Sequence, residues 1–235
     1  MSYSLKRIEL DHPYTINSAI LENCEHVKDL GVYLDKKLTF NIHIDEVSRG
    51  ALKSLGFLLR STEGFNSPLC LTALYMSLVK SKINYVIRRL ENVQRKFLKY
   101  LSFKLDGVFP ERGYNHLRLL QRFDLLSIEQ THRLHSLSFL YKLCNGHADC
   151  ASLLARLNFS APLVRTRNQN TFYLSNVRTC LAGKAPLYRA CTDFNVVESL
   201  ASVDIFGDSL RQFRNVLVRQ MKNPSIFLIF FIVVP

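Results

Sequence analysis

The sequence predicts a mainly α-helical protein with a small β-hairpin element near its N-terminus and a basic helical array after it. Short runs of β-forming residues are confined to residues 12–35. From residue 41 onward, apolar residues recur at the three- and four-residue spacing of amphipathic helices. The excess of basic over acidic side chains begins at residue 61, so the predicted helices carry it.

The β element is predicted from three runs. Residues 13–16 and 19–21 flank Asn17 and Ser18, a pair that favours a tight turn, and residues 30–34 are rich in β-forming side chains. Strands as short as these do not form a sheet that is stable by itself. We therefore expect a small hairpin element.

The first two helices are predicted from apolar stripes and end signals. Gly64 is expected to end the first helix, and Ser67 with Pro68 to begin the second as N-cap and first-turn residue. The first stripe consists of Ile44, Val47, Ala51, Leu52, Leu55, Leu58 and Leu59. The second stripe consists of Leu71, Leu74, Tyr75, Leu78 and Val79.

The segment 88–103 predicts a helix with one apolar and one basic face. At 100° per residue, the apolar arc contains Leu90, Val93, Phe97, Leu98 and Leu101. The opposite arc contains Arg88, Arg89, Arg95, Lys96 and Lys99. A basic amphipathic helix of this kind can also lie on a membrane or meet an acidic partner. The apolar arc is no wider than a core helix needs, which favours packing inside a domain.

The second half of the chain predicts further helices. Ser127 and Gln130 form a capping box for a helix that runs to about Cys144 and stops at Asn145 and Gly146. A short helix is expected after residue 149, a basic loop over 158–180, and helices over 186–200 and 207–221. The resulting division is 1–40, 41–104, 105–222 and a tail, 223–235.

The charge distribution favours a polyanionic partner. Residues 61–120 carry ten basic and four acidic side chains, and residues 121–235 carry thirteen and seven. Between Lys80 and Lys104 there are eight basic residues and one acid, Glu91, and from Arg165 to Arg189 there are five and none. Such local excess is typical of nucleic-acid binding. The alternative is a solvated basic surface that binds nothing.

No catalytic, metal or cofactor site is predicted. The sequence contains no adjacent aspartates and none of the common nucleotide-binding, zinc-protease or serine-hydrolase motifs. Cys144, His147 and Cys150 provide three potential ligands where a structural zinc needs four, and only Cys180 or Cys191 could complete the set. The six cysteines show no disulfide framework and no signal peptide precedes them, so we expect an intracellular protein, nuclear or cytoplasmic.

The apolar run from Ile226 to Val234 is too short to span a bilayer, which needs about 20 residues. No membrane span is therefore predicted. The run could dip into a membrane or cap a core, but a β-prone, uncharged tail without a function is the favoured interpretation.

Several motifs together resemble one family. They are VKDLGVYLD at 27–35, LTF at 38–40, ENVQRKFL at 91–98, APLYR at 185–189, DIF at 204–206 and FR at 213–214. In this order and spacing, they resemble the region after the palm in reverse transcriptases of non-LTR (LINE-type) retrotransposons, and the jockey-like elements of arthropods above all. The resemblance covers nearly the whole chain to about residue 222.

The resemblance implies a fold and a function. Leu30, Gly31 and Val32 match the primer-grip hairpin at the edge of the palm, the helices from residue 41 match the thumb, and residues 105–222 match the C-terminal extension. The catalytic aspartates of the family lie upstream of the matching segment. The resemblance therefore implies that this chain is a polymerase fragment without polymerase activity of its own. The expected partners are RNA, DNA or their hybrid, bound weakly and without sequence preference. The expected nucleic-acid contacts are Arg88, Arg89, Arg95, Lys96, Lys99, Arg165, Arg167 and Arg178.

The chain also departs from the family's pattern. After Tyr85 the family has a stretch containing tryptophan, and here Val86 to Arg89 follows directly in a chain without tryptophan. We expect this join to give one long helix from Pro68 to about Phe103, or a kink. Two other functions therefore stay open. One is a non-enzymatic interaction protein that binds a full-length reverse transcriptase or another partner, and the other is a functionless retroelement relic.

Overall fold

A computed structural model describes residues 12–83, 91–111, 113–161, 170–201 and 203–223. The chain divides into two compact units, Met1–Tyr114 and Asn115–Pro235. Both are mainly helical, and the strands of the first unit precede its helices. The prediction of a mainly α protein with a small N-terminal β-hairpin element is thus confirmed.

Two antiparallel hairpins form the β element. Strand β1 (Thr15–Ile16) pairs with β2 (Ala19–Ile20), and β3 (His26–Asp29) pairs with β4 (Val32–Asp35). Asn17 and Ser18 form the first turn, as predicted, with positive φ angles of 48° and 64°. The prediction of a strand over 30–34 is wrong at its start. Leu30 and Gly31, at φ 45° and 86°, form the second turn, because cross-strand pairing recruits the polar residues before them as β3.

Helix α1 (Asn41–Ser61) follows a turn that the Asp35 carboxylate stabilises. Asp35 Oδ1 accepts hydrogen bonds from the backbone N–H of Thr39 at 2.6 Å and of Phe40 at 3.3 Å. Ala51, Leu55 and Leu58 are buried along the predicted stripe. The rest of that face is half-buried, except at one position.

Leu52 is exposed, so its place in the α1 stripe is wrong. It lies about 60° round the helix from Leu55, at the edge of the apolar arc. The elements that pack against α1 cover the centre of the arc and leave this edge in solvent.

Helix α2 (Pro68–Tyr75) begins as predicted, because Ser67 Oγ accepts a hydrogen bond from Cys70 N. It continues as a π-helix, Met76–Lys80, and then as the short α3, Ser81–Ile83. The prediction that Leu78 is buried is wrong: Leu78 is exposed, and Val79 and Lys80 are buried. The wider π turn holds more residues than an α turn, so the inward position after Tyr75 moves along the chain.

Helix α4 (Glu91–Asp106) completes the first unit. Its apolar arc is confirmed at Val93, Phe97, Leu98 and Leu101, all of which are buried. The Phe97 ring stacks on Tyr75 with 4.0 Å between ring centroids. Residues 84–90 lie outside the described residues, and with them lie Leu90 and the join where a long helix or a kink is predicted.

The second unit contains helices α5 to α10. The capping box at Ser127 and Gln130 is confirmed, as are the helix to Cys144 and its stop at Asn145 and Gly146. Two short helices were not predicted, α5 and α8. The bounds are α5 His116–Arg122, α6 Ile128–Cys144, α7 Ala151–Leu154, α8 Cys180–Gly183, α9 Pro186–Leu200 and α10 Leu210–Lys222.

Helix α6 packs against both α9 and α10. Leu137, Leu140, Phe194, Phe213 and Leu217 meet in this core, and all five are fully or almost fully buried. Tyr141 extends the core as an aromatic neighbour of Phe213, with 5.0 Å between ring centroids. The second unit therefore has a hydrophobic core of its own.

The predicted loop 158–180 is anchored at its base. Phe159 and Phe172 form an isolated antiparallel bridge, and the Asn195 side chain on α9 pairs with both backbone groups of Phe172, at 3.1 and 2.8 Å. The backbone N–H of Thr171 donates to Glu198 at 2.9 Å. Residues 162–169 lie outside the described residues. The described ends of that segment are therefore fixed against α9.

A buried ion pair joins α6 to α9. Arg133 contacts Glu129 at 3.0 Å on its own helix and Asp193 at 3.5 Å on α9. Asp193 is only 4% exposed. Burial raises the pKa of Asp193, while Arg133 and Arg189 act in the opposite direction. The Arg133 guanidinium thus compensates a carboxylate that has been removed from water.

Among the described residues, none of the helices has both the length and the apolar content that crossing a membrane requires. The apolar run at 226–234 lies outside these residues. The predicted role of that tail stays a prediction.

Lys80 is expected to make stability rise with pH. This side chain is 6% exposed, and burial lowers its pKa to about 8 from an ordinary 10.5. Between these values the unfolded chain keeps the proton that the folded chain has lost, so stability increases with pH. From pH 7.5 to 9.5, we expect the free energy of unfolding to rise by roughly 2 kcal/mol. Urea titrations at each pH measure the free energy of unfolding. The Lys80→Met variant should lack the increase with pH. A rise of the same size in Lys80→Met would contradict this assignment.

Breaking the Arg133–Asp193 pair is expected to be costly. Arg133→Met removes the ion-pair partner of the buried Asp193 carboxylate, which should destabilise the protein by roughly 3–5 kcal/mol in denaturant titrations at pH 7. The loss should shrink as the pH falls, because the Asp193 carboxyl group, whose pKa is raised by burial, takes up a proton more readily in the folded protein than in the unfolded chain. The double variant Arg133→Met, Asp193→Leu is the control and should recover more than half of the stability. Equal stability of the single and double variants would show that the charge pairing is unimportant.

Candidate nucleic-acid interface

Arg95, Lys96 and Lys99 share one exposed arc of α4, as predicted, and this set is called the basic arc of α4. Their position follows from the burial of Phe97 and Leu98 on the opposite side of the helix. Arg95 and Lys99 are one helical turn apart, about 6 Å along the axis. The arc therefore presents three cations to solvent over a short length.

The charges on this arc are only partly balanced. Glu91, the one acid between Lys80 and Lys104, lies 3.6 Å from the Arg95 guanidinium. An exposed i,i+4 pair of this kind contributes only about 0.3–0.5 kcal/mol, so Arg95 can exchange it for a stronger anion. Among the described residues, no ion pair forms with Lys96. The arc keeps a net positive charge.

Tyr114 borders the basic arc. The Lys99 ammonium lies 5.4 Å from the centre of the Tyr114 ring, within the range of a cation–π contact. The Tyr114 hydroxyl donates a hydrogen bond to the backbone oxygen of Arg95 at 3.5 Å. Burial raises the pKa of Tyr114, with a smaller opposing effect of Arg95, so the hydroxyl keeps its proton at neutral pH.

Two exposed phenyl rings continue this surface. Phe103, one turn after Lys99, stacks on Phe109 with 4.3 Å between ring centroids and 8° between ring planes. Phe103 is 37% exposed and Phe109 is 58% exposed. Sequence reasoning missed both rings. The helical period that groups Lys96 with Lys99 also places Phe103 beside them, so the signal was present for this residue.

Of the other five predicted nucleic-acid contacts, only Arg178 lies among the described residues. Arg178 is exposed and lies in the second unit, just before α8. The remaining four, Arg88, Arg89, Arg165 and Arg167, lie outside the described residues.

The predicted primer-grip residues lie at the tip of the second hairpin. Leu30 and Gly31 form the turn between β3 and β4, and Val32 begins β4. Leu30 is 98% exposed, so its side chain has no packing role within the described part of the chain.

The described residues contain no group of three or more metal-ligating side chains that could hold an ion. Among the potential ligands weighed in the sequence, the His147 ring stacks on Tyr141 with 6.3 Å between ring centroids. Burial raises the pKa of the Cys144 thiol to about 11 and of the Cys191 thiol to about 12. These two cysteines stay protonated at neutral pH and are poor nucleophiles.

Comparison with known proteins identifies no family for this chain. No protein-family model, curated protein or solved structure matches the chain. Inference about its function therefore depends on its own residues and on the resemblance of its motifs.

Proposed function

We propose that the chain binds the phosphate backbone of nucleic acids without sequence preference, through the basic arc of α4. The observation that carries this proposal is the exposure of Arg95, Lys96 and Lys99 on one arc, where Glu91 is the one acid that forms an ion pair with the arc among the described residues. Cations of this kind bind polyanions by releasing condensed counterions, a contribution that carries no base information.

The phenyl pair supports single-stranded nucleic acid as a ligand. Exposed aromatic rings beside a basic groove are the usual platform for unstacked bases. Phe103 and Phe109 provide two such rings, and Phe109 has the more accessible surface. Because every base has an aromatic face, stacking also tolerates any sequence.

We further propose that this activity is that of the thumb and C-terminal region of a non-LTR retrotransposon reverse transcriptase. The order and spacing of the motifs support it, and so does a basic helical surface of the kind a thumb uses to hold a template–primer. The resemblance places the polymerase aspartates upstream of the matched segment. We therefore propose no polymerase activity for these residues alone.

The proposed binding is weak and salt-dependent. Three phosphate contacts correspond to a slope of about −2.7 in log K against log salt on duplex DNA, and about −2.1 on single strands. Affinities in the micromolar range or weaker at physiological salt are typical of such non-specific binding.

Charge reversal on the basic arc of α4 should weaken binding. We expect the triple variant Arg95→Glu, Lys96→Glu, Lys99→Glu to bind a fluorescent 20-nucleotide strand more weakly and with a flatter salt dependence, because fewer counterions are released. Fluorescence anisotropy over a range of KCl concentrations measures both. The matched control reverses three exposed cations elsewhere in the same unit, Lys37, Lys53 and Arg60. Unchanged affinity in the α4 triple variant, or an equal loss in the control, would refute the assignment.

Removal of the Phe109 ring should reduce single-strand binding selectively. Phe109→Ala is expected to cost about 1–3 kcal/mol for a single strand, since one base loses its stacking partner. Binding of a 20-base-pair duplex should change little, because its bases are already stacked. Competition between the single-stranded and duplex probes directly gives the ratio of the two affinities. Phe65→Ala, which removes another exposed phenyl ring, is the control.

A further inference from the structure

Helix α10 presents a second set of three exposed cations. Phe213, Leu217 and Met221 are buried on one side of the helix. Arg211, Arg214 and Arg219 are exposed and form the arginine arc of α10. At 100° per residue, Arg211 and Arg219 lie away from the buried residues, and Arg214 lies at the border of the buried side, about 20° from Met221. All three side chains are exposed to solvent.

Within the described part of the chain, no acidic side chain compensates the arginine arc of α10. The helix contains no Asp or Glu, and Lys222, its fourth cation, is engaged by Asp124 at 2.5 Å. The carboxylate of Asp208, just before the helix, accepts a hydrogen bond from the backbone N–H of Asp204 at 3.1 Å. Among the described residues, none of the three arginines forms an ion pair. Their charges are available to an external anion.

The fold holds α10 at both ends. The Ser209 and Gln212 side chains form a capping box at its start, and Tyr141 Oη donates to the backbone oxygen of Asp208 at 2.7 Å. At its end, Gln130 Nε2 donates to the backbone oxygen of Met221 at 2.6 Å. A surface fixed in this way loses little freedom when a ligand binds.

We propose that the arginine arc of α10 is a second phosphate-binding face, which contacts the backbone of the nucleic acid independently of α4. The guanidinium group matches phosphate with two parallel hydrogen bonds, and this geometry favours phosphate over a diffuse anionic surface. Arg211 and Arg219 are about 12 Å apart along the axis, which corresponds to three or four phosphates of one strand. The ligand class rests on the proposed function, but the residues belong to the other compact unit.

The test is a set of matched variants of the full chain. Arg211→Gln, Arg214→Gln, Arg219→Gln removes the arginine arc of α10, and Lys142→Gln, Arg156→Gln, Lys184→Gln removes three exposed cations elsewhere in the same unit. Binding of a fluorescent 20-nucleotide strand and of the matching duplex is followed by anisotropy against KCl. Circular dichroism establishes that each variant is folded. We expect a loss of about tenfold or more at 0.1 M salt and a slope lower by roughly 2–3 in the α10 variant. The control should change by less than about twofold.

Two further variants complete the test. Arg211→Lys, Arg214→Lys, Arg219→Lys keeps the charge and is expected to keep the salt slope while losing severalfold in affinity, because the bidentate contact is gone. This variant also serves if the glutamine variant fails to fold. The α4 charge reversal separates the two proposals. Loss in the α4 variant with none in the α10 variant would overturn this inference and leave the proposed function standing, and the reverse would support it and refute the α4 site.

Two other results would also overturn the inference. One is an equal loss in the scattered-charge control, which would attribute the effect to net charge alone. The other is a loss of binding to vesicles of phosphatidylserine and phosphatidylcholine with no loss of nucleic-acid binding, which would assign the arc to a lipid surface.

Discussion

The stacking of Phe97 on Tyr75 fixes the rotation of α4, and the candidate interface depends on that rotation. Both rings are fully buried, with 4.0 Å between centroids and nearly parallel planes. The Tyr75 hydroxyl has no hydrogen-bond partner among the described residues. Tyr75 therefore stabilises the core through the packing of its ring. If α4 were rotated by half a turn about its axis, Arg95, Lys96 and Lys99 would all point into the core. The hydrophobic core of the first unit therefore determines where its charge is presented.

The two units deal with an inward-facing cation in different ways. In the first, the π-helix carries Lys80 into the core, and burial lowers the pKa of its ammonium group. In the second, Arg133 is buried together with Asp193 and Glu129, so the charge is compensated. Lys can respond to desolvation by losing its proton, whereas Arg keeps its charge and needs carboxylates. The residue type at each buried position is thus compatible with its desolvation.

Local signals in the sequence predicted the elements with clear end residues. Ser67, Ser127 and the Asn145–Gly146 stop gave correct helix ends because capping depends on residues that are close in sequence. Errors occurred where packing decided the outcome. Leu78 was misplaced because nothing local to it indicates a π turn, and Leu30 because strand pairing shifted the turn. For the candidate site, the periodicity of charged residues predicted the basic arc of α4. It did not predict the Phe103–Phe109 pair, because that pair depends on a contact between α4 and the segment that follows it.

The anchored base of the 158–173 region has a consequence for variation in this protein. Asn195 and Glu198 hold Phe172 and Thr171 through backbone and side-chain hydrogen bonds, and Phe172 is part of the second core. The backbone N–H of Ser160 also donates to the backbone oxygen of Thr171 at 2.9 Å, so these anchoring contacts do not involve residues 162–169. Doubling the length of a connection costs only about 0.6 kcal/mol in loop-closure entropy. A change in the number of residues between Ser160 and Thr171 is therefore expected to leave the contacts of Phe172 with the second core in place.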